Sequence, residues 1–276
     1  MGKSSRDKRD IYFRLAKENG YRARSAFKLL QIDNSFEIFK RQDGSNVERV
    51  IDLCAAPGSW SQVISQRLVE NSDETSEPKI IAIDLQKIAP IPGVHVIQGD
   101  ITSEETEKQI IEYFDGKKAE LIVCDGAPDV TGFHDLDQYV QLSLIESALK
   151  ICDKVLEEGG VFVAKVFRGL ESHHLHSKVS PRFNGLVTFV KPSASRASSL
   201  EAFILCKGYS AKNLLPITEE SEIISMVIGL DEHGYDSDTY FPPEPGYKNL
   251  DPVQPPIDPA YSETCRAFRN KINLNK

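Results

Sequence analysis

The stretch Asp52-Leu53-Cys54-Ala55-Ala56-Pro57-Gly58-Ser59-Trp60-Ser61-Gln62 decides the fold. Before it, Val47 to Leu53 reads as a buried strand. Pro57 and Gly58 then turn the chain, and a helix is expected from Ser59. A strand that feeds a tight glycine turn and a helix N-terminus brings a nucleotide-like ligand against backbone. Working outward, acids recur at later strand ends: Asp84 after residues 79–83, Asp100 after 95–99, and Asp125 after 121–124.

Carboxylates at successive strand ends suit a ligand with a ribose, an adenine amine and a cationic amino-acid end. S-adenosylmethionine fits that description better than a dinucleotide does. The chain has no G-x-G-x-x-G and no G-x-x-x-x-G-K-[ST], so nicotinamide, flavin and ATP-hydrolysing chemistries have no motif behind them.

The pattern predicts strands over 47–53, 79–84, 94–98, 120–125, 160–167, 185–190 and 201–207. Helices are expected over 21–32, with Ala23, Phe27 and Leu30 on one face, and over 59–70, 103–115 and 137–157, the last stopped by Gly159-Gly160. Alternation of this kind gives an α/β fold with a mostly parallel central sheet, helices on both faces and an antiparallel edge. Three regions follow: a basic helical segment (1–46), a core (47–208), and an acidic, proline-rich extension (209–276) that is partly ordered to about residue 230.

With 276 residues, 40% hydrophobic and 27% charged, the chain has the composition of an ordinary globular protein. Its opening lacks an apolar leader, and its five cysteines include no C-x-x-C, so reduced thiols in a cytosolic or nuclear protein are expected, the cytoplasm being the preferred location, with no zinc site and no membrane span. The net charge of −8 hides an asymmetry: residues 1–28 carry nine basic side chains against three acidic ones, about +6. A basic arm on an acidic body suggests a phosphate-binding surface that a partner protein completes. Arg22, Arg24 and Arg196 are the phosphate-contact candidates, and Tyr21 could stack a base. His173, His174 and His176 lack matched ligands at metal spacing.

Four further residues could converge: Lys28 on the basic helix, Asp125 at the head of D-G-A-P, Lys165 inside the apolar run Val161 to Phe167, and Glu201 at a strand start. A lysine in such a strand is costly to bury. Together with D-L-C-A-A-P-G-S-W-S-Q and the later K-P-x-x-S-R-x-x-S-x-E, these residues resemble the FtsJ/RrmJ family of RNA ribose 2′-O-methyltransferases over roughly residues 1–208. The runs G-K-S-S-R-D-K-R-D-I-Y-F-R and G-Y-R-A-R-S-A-F-K-L-L, with Gly234 to Asp238 in the tail, resemble its eukaryotic tRNA anticodon-loop branch.

The resemblance implies a Rossmann-like methyltransferase core, S-adenosylmethionine as cofactor, and tRNA ribose methylation at positions 32 and 34. It implies a catalytic tetrad of Lys28, Asp125, Lys165 and Glu201, with Lys165 as general base. The implied cofactor residues are Gly58, Trp60, Asp84, Asp100 and Asp125. It also implies heterodimers with auxiliary proteins, a large helical-repeat protein and a WD-repeat protein. Where relatives often carry Ser before Ser195, this chain has Ala194, which removes a hydroxyl expected near the substrate cleft. The alternatives are the same chemistry on ribosomal RNA or an mRNA cap, or a non-catalytic RNA-binding scaffold.

Overall fold

A computed structural model describes residues 11–71, 78–127, 134–168, 172–196, 198–211 and 227–230. The chain divides into residues 1–238 and 239–276, and the second unit lies wholly outside the described residues. So do the basic side chains before Ile11, the G-K-S-S-R-D run, the Gly234–Asp238 motif and the proline clusters.

The strands are β1 (Arg49–Leu53), β2 (Lys79–Asp84), β3 (Val94–Gln98), β4 (Ala119–Cys124), β5 (Leu156–Phe167), β6 (Val187–Pro192), β7 (Glu201–Lys207) and β8 (Val227–Leu230). They form one sheet in the order β3-β2-β1-β4-β5-β7-β6-β8. Pairing is parallel from β3 to β5. β7 lies antiparallel between β5 and β6, and β8 runs parallel to β6 at the rim. The antiparallel pair expected at the edge is therefore one strand inside it, because β8 adds a border that its short apolar segment did not advertise.

Helices α1 (Ile11–Glu18), α2 (Ala26–Phe36), α3 (Ser59–Asn71), α4 (Glu104–Tyr113), α5 (His134–Val155) and α6 (Ser172–Val179) surround the sheet. Period-two alternation divides the core. Val50, Val123, Val163 and Phe203 join Leu29, Ile32, Trp60 and Ile64 on one face. Ile51, Ile122, Phe162 and Ile204 join Ile110, Ile145 and Leu175 on the other. Burying a side chain such as Leu29 or Ile32 stabilises the fold by about 1.5–3 kcal/mol relative to leaving it exposed.

Two expectations shift. The helix predicted over 21–32 starts at Ala26, because Ala26, Phe27 and Lys28 first donate to the carbonyls of Ala23, Arg24 and Ser25 in tight turns. Its buried face is Ala26, Leu29 and Ile32, not Ala23, Phe27 and Leu30. The helix placed over 137–157 ends at Val155, and Leu156 already belongs to β5. Gly159, at φ 82°, lies inside that strand and donates to the Tyr209 carbonyl at 2.7 Å. The apolar Leu156 extends the helical pattern by one residue, so periodicity alone could not place the boundary.

Candidate active site

Strand register gathers the four singled-out side chains at one end of the sheet. The β4–β5 ladder closes at Cys124 opposite Ala164, so Asp125 and Lys165 follow side by side. On the other flank Lys165 faces Phe203 and Phe167 faces Glu201, which sets Glu201 diagonally across from Lys165. Alternation turns Val161, Val163 and Lys165 to the face that α2 covers, and α2 presents the buried Lys28 there.

Lys28 Nζ lies 2.7 and 2.8 Å from the two Glu201 carboxylate oxygens. Lys165 Nζ lies 3.4 Å from Glu201 Oε2 and 3.5 Å from Asp125 Oδ1. Ser195 Oγ donates to Glu201 Oε1 at 2.8 Å. Two cations thus straddle one carboxylate, and the second carboxylate, Asp125, makes no hydrogen bond through Oδ1.

Burial favours neutral Lys165, but Asp125 and Glu201 outweigh it and hold its pKa above the usual lysine value. Burial likewise pushes Glu201 up, and Lys28 and Lys165 more than reverse that, leaving it below the carboxylate norm. For Asp125 burial prevails over both lysines, and its pKa is raised.

A cavity of about 700 Å³ opens at the carboxyl ends of the parallel strands. Cys54, Asp84, Asp100, Asp125, Val140 and Leu144 help to line it. Asp84 accepts the amides of Ala56 at 2.8 Å and Gln86 at 2.7 Å, fixing the loop after β1. Asp100 Oδ1 accepts the amide and hydroxyl of Thr102, each at 2.8 Å. Gly126 must be small, since a Cβ there would come within 2.8 Å of Cys54 Cβ and Leu144 Cδ2. Asp125 belongs both to this cavity and to the charged cluster. Three carboxylates in one cavity fit a ligand bearing hydroxyls and a cation, which is the chemistry of S-adenosylmethionine.

Gly58 and Trp60 are not part of that lining. Gly58, at φ 103°, faces the other way, where a Cβ would meet Ile91 Cδ1 at 2.6 Å and Arg22 Nη1 at 2.8 Å. Trp60 is buried, donates to the Ser25 carbonyl at 2.8 Å and packs 5.6 Å from the Phe203 ring. It joins α2 and α3 to the sheet beneath the cluster.

The expected RNA contacts divide. The Arg22 guanidinium donates to the carbonyls of Pro57, Ala89 and Pro90 at 2.8–2.9 Å, so it ties the turn after β1 to the loop after β2. Arg24 donates to the Ala194 carbonyl, and its guanidinium lies 5.9 Å from the Tyr12 ring. Arg196 is exposed. Tyr21 donates to Gln66 at 2.7 Å and sets its ring edge-on to Phe27. Ala194 is buried, and its amide donates to Gln31 at 2.8 Å, so its methyl group does not face a cleft. His173 and His174 lie outside the described side chains; His176 is buried beside Phe189. No metal-binding group of His, Cys, Asp or Glu occurs among the described residues.

Sequence reading passed over Asp52, although it opens the deciding motif. It is fully buried, accepts from Ser61 Oγ at 2.5 Å, and burial raises its pKa to about 8. A carboxyl at position 52 in an otherwise apolar strand was the available signal. The part α5 takes in the cavity wall, through Val140, Ser143, Leu144 and Ser147, had no such signal.

Against known proteins, the family model for FtsJ-like methyltransferases matches residues 21–209. The chain belongs to that family. The matched span holds the whole tetrad and every cavity residue named above. A Mus musculus protein named tRNA (cytidine(32)/guanosine(34)-2′-O)-methyltransferase is 47% identical over 98% of this chain and 87% of its own length. A Dictyostelium discoideum protein with the same name, qualified as putative, is 57% identical over 76% of this chain and 75% of its own. A Methanosarcina acetivorans protein named ribosomal RNA large subunit methyltransferase E is 40% identical over 74% of this chain and 70% of its own. The crystal structure of a Plasmodium falciparum protein named as a ribosomal RNA methyltransferase, qualified as putative, superposes with a TM-score of 0.58 at 26% identity, covering 68% of this chain and 98% of that one. Among the described residues no helix is long and apolar enough to cross a membrane.

Proposed function

We propose that this protein transfers the methyl group of S-adenosylmethionine to the ribose 2′-hydroxyl of tRNA anticodon-loop nucleotides 32 and 34. The observation that carries this reading is Lys165, held between Asp125 and Glu201 at the border of a carboxylate-lined cavity. The tRNA assignment is supported by the names of relatives matched over nearly the whole chain.

When bound, the donor supplies an electrophilic methyl on a sulfonium cation. Asp84, Asp100 and Asp125 would hold it. A hydroxyl is a weak nucleophile until its proton leaves, and Lys165 takes that proton. The resting cluster keeps Lys165 charged, through Asp125 and Glu201. A cation beside Asp125 competes for that carboxylate and moves Lys165 toward the neutral form, so base strength is linked to loading of the cavity. Lys28 and Ser195 keep Glu201 in place, and Glu201 keeps Lys165 aimed.

The basic segment 1–46 serves as the RNA grip, with Arg24 and Arg196 as phosphate contacts. Auxiliary helical-repeat and WD-repeat proteins, docked in cytoplasmic heterodimers through the extension 209–276, select between positions 32 and 34. The experiment is a nucleotide-resolution map of 2′-O-methylation in cells with wild-type protein, Lys165→Ala, or none. Loss at tRNA positions 32 and 34 in the last two is expected. Loss in ribosomal RNA or caps with tRNA unchanged would overturn the substrate, and full methylation by Lys165→Ala would overturn the base.

A further inference from the structure

The β4–β5 ladder ends at Cys124 and Ala164. Beyond that pair β5 continues beside β7 as far as Phe167, whereas the chain after Cys124 leaves the sheet through Asp125 and Gly126. Divergence of this kind opens the cleft and also deprives main-chain carbonyls of strand partners. Buried carbonyls must be paired elsewhere. Gln141, on α5 and only 2% exposed, supplies the donors: its Nε2 donates to the Gly126 carbonyl at 3.0 Å and to the Lys165 carbonyl at 2.7 Å.

A primary amide has two N–H groups, and both are used here. The oxygen could not face two carbonyls, so the orientation of the amide is set by its partners. Oε1 makes no hydrogen bond. Val140, Ser143 and Leu144 on the same helix line the cavity, and Gln141 does not. The two carbonyls belong to Lys165 itself and to the residue after Asp125.

We infer that Gln141 is a positioning residue that sets the gap between Asp125 and Lys165 by cross-linking the two strand ends that carry them. The inference deepens the reading of Lys165 as the base, and its kinetic part rests on that reading. With the bridge removed, both carbonyls seek water, the strand ends part, and the Asp125–Lys165 contact, already 3.5 Å, is lost. Asp125 is one of two carboxylates holding the proton on Lys165, so its retreat lets Lys165 titrate at lower pH.

The test uses the full chain with Gln141→Met, which keeps length but cannot donate. Methyl transfer is read as kcat and KM for tRNA, cofactor affinity by calorimetry, and Lys165 titration by NMR of lysine-labelled protein, its signal identified by loss in Lys165→Arg. The expected result is a kcat lower by about tenfold to a hundredfold, as a displacement near 1 Å can produce. KM and cofactor affinity should stay within about twofold of wild type. The Lys165 titration and the rise of rate with pH should both move to lower pH. An unmoved titration in the folded variant overturns the inference, whatever happens to the rate.

Gln141→Glu decides the matter if the methionine variant does not fold. Its protonated carboxyl can donate one bond and its ionised form none, so its deficit should shrink as pH falls. A deficit independent of pH overturns the inference. Failure of the base reading would appear separately, as turnover by Lys165→Ala with the NMR shift in Gln141→Met still present.

Discussion

The same strands carry a charged cluster at each end, and the two are built on different terms. At the amino ends, Glu120 on β4 is buried and meets Arg41 and Arg49, the amides of Glu48 and Arg49, and through the arginines Glu157. Its carboxylate is met by two arginines, which cannot lose their charge, and by two backbone amides. At the carboxyl ends the cations are lysines, the Lys165 contacts stretch to 3.4 and 3.5 Å, and Asp125 keeps an oxygen without a hydrogen bond. Arginine with a full complement of donors makes a lock, whereas Lys165 is a cation of a type that can be neutralised, held at looser contacts and kept charged by Asp125 and Glu201.

Breaking the comparison at its reactive end should have the largest effect. Lys165→Arg preserves the charge and both carboxylates but removes a base that can be neutral, so kcat should fall by about 10²- to 10⁴-fold with stability little changed. A transfer assay with labelled S-adenosylmethionine, paired with a thermal melt, checks both halves. Substantial turnover would mean that charge, and not proton transfer, is what this end supplies.

The opposite substitution tests the lock. Glu120→Gln leaves Arg41 and Arg49 with Glu157 as their shared carboxylate, removes the charge-assisted bonds to Glu120, and should lower stability by about 2 kcal/mol in a denaturant titration. Below the melting temperature kcat should be unaffected. A slower enzyme of undiminished stability would erase the distinction between the two ends.

Asp52 sharpens the contrast, because it is a carboxyl given no cation at all. Its folded pKa of about 8 stands above the ordinary 3.8, so the folded chain retains a proton that the unfolded chain releases between those values. Stability therefore falls as pH rises through that window, by up to about 1.4 kcal/mol per pH unit from this group. Asp52→Asn lacks the group, and its stability relative to wild type should improve from pH 4 to pH 8. Parallel denaturation curves across the window would show that Asp52 is ionised in place.

The smallest effect belongs to Ser195→Ala, which removes one hydrogen bond to Glu201. A loss of about 1 kcal/mol in stability is expected, with a severalfold slower single turnover. No change in either would mean that Lys28 and Lys165 hold Glu201 without it.

Much of this site was legible in the residue order. Lys165 stands out because burying a lysine in an apolar strand is costly, and Asp125 because it heads D-G-A-P at a strand end. The set of four follows from the family resemblance, and the four side chains come together. What stayed hidden depends on direction and not on identity. Gly58 and Trp60 sit in the deciding motif yet face α2 and the 88–91 loop, a consequence of which way the turn faces. Arg22 looks like a phosphate ligand until its three carbonyl partners, brought from distant loops, are known. Gln141 carries no charge and interrupts no pattern, so only the divergence of β4 and β5 gives it meaning.

The reversed strand has a consequence for how the protein comes into being. Lys28 and Glu201 are 173 residues apart, and Glu201 opens β7, which inserts into the sheet between strands made earlier. A chain synthesised only as far as residue 200 contains Lys28, Asp125 and Lys165 but lacks Glu201. Synthesis thus delivers the cluster's second carboxylate late, with β7 itself, after the six described strands that precede it in the chain.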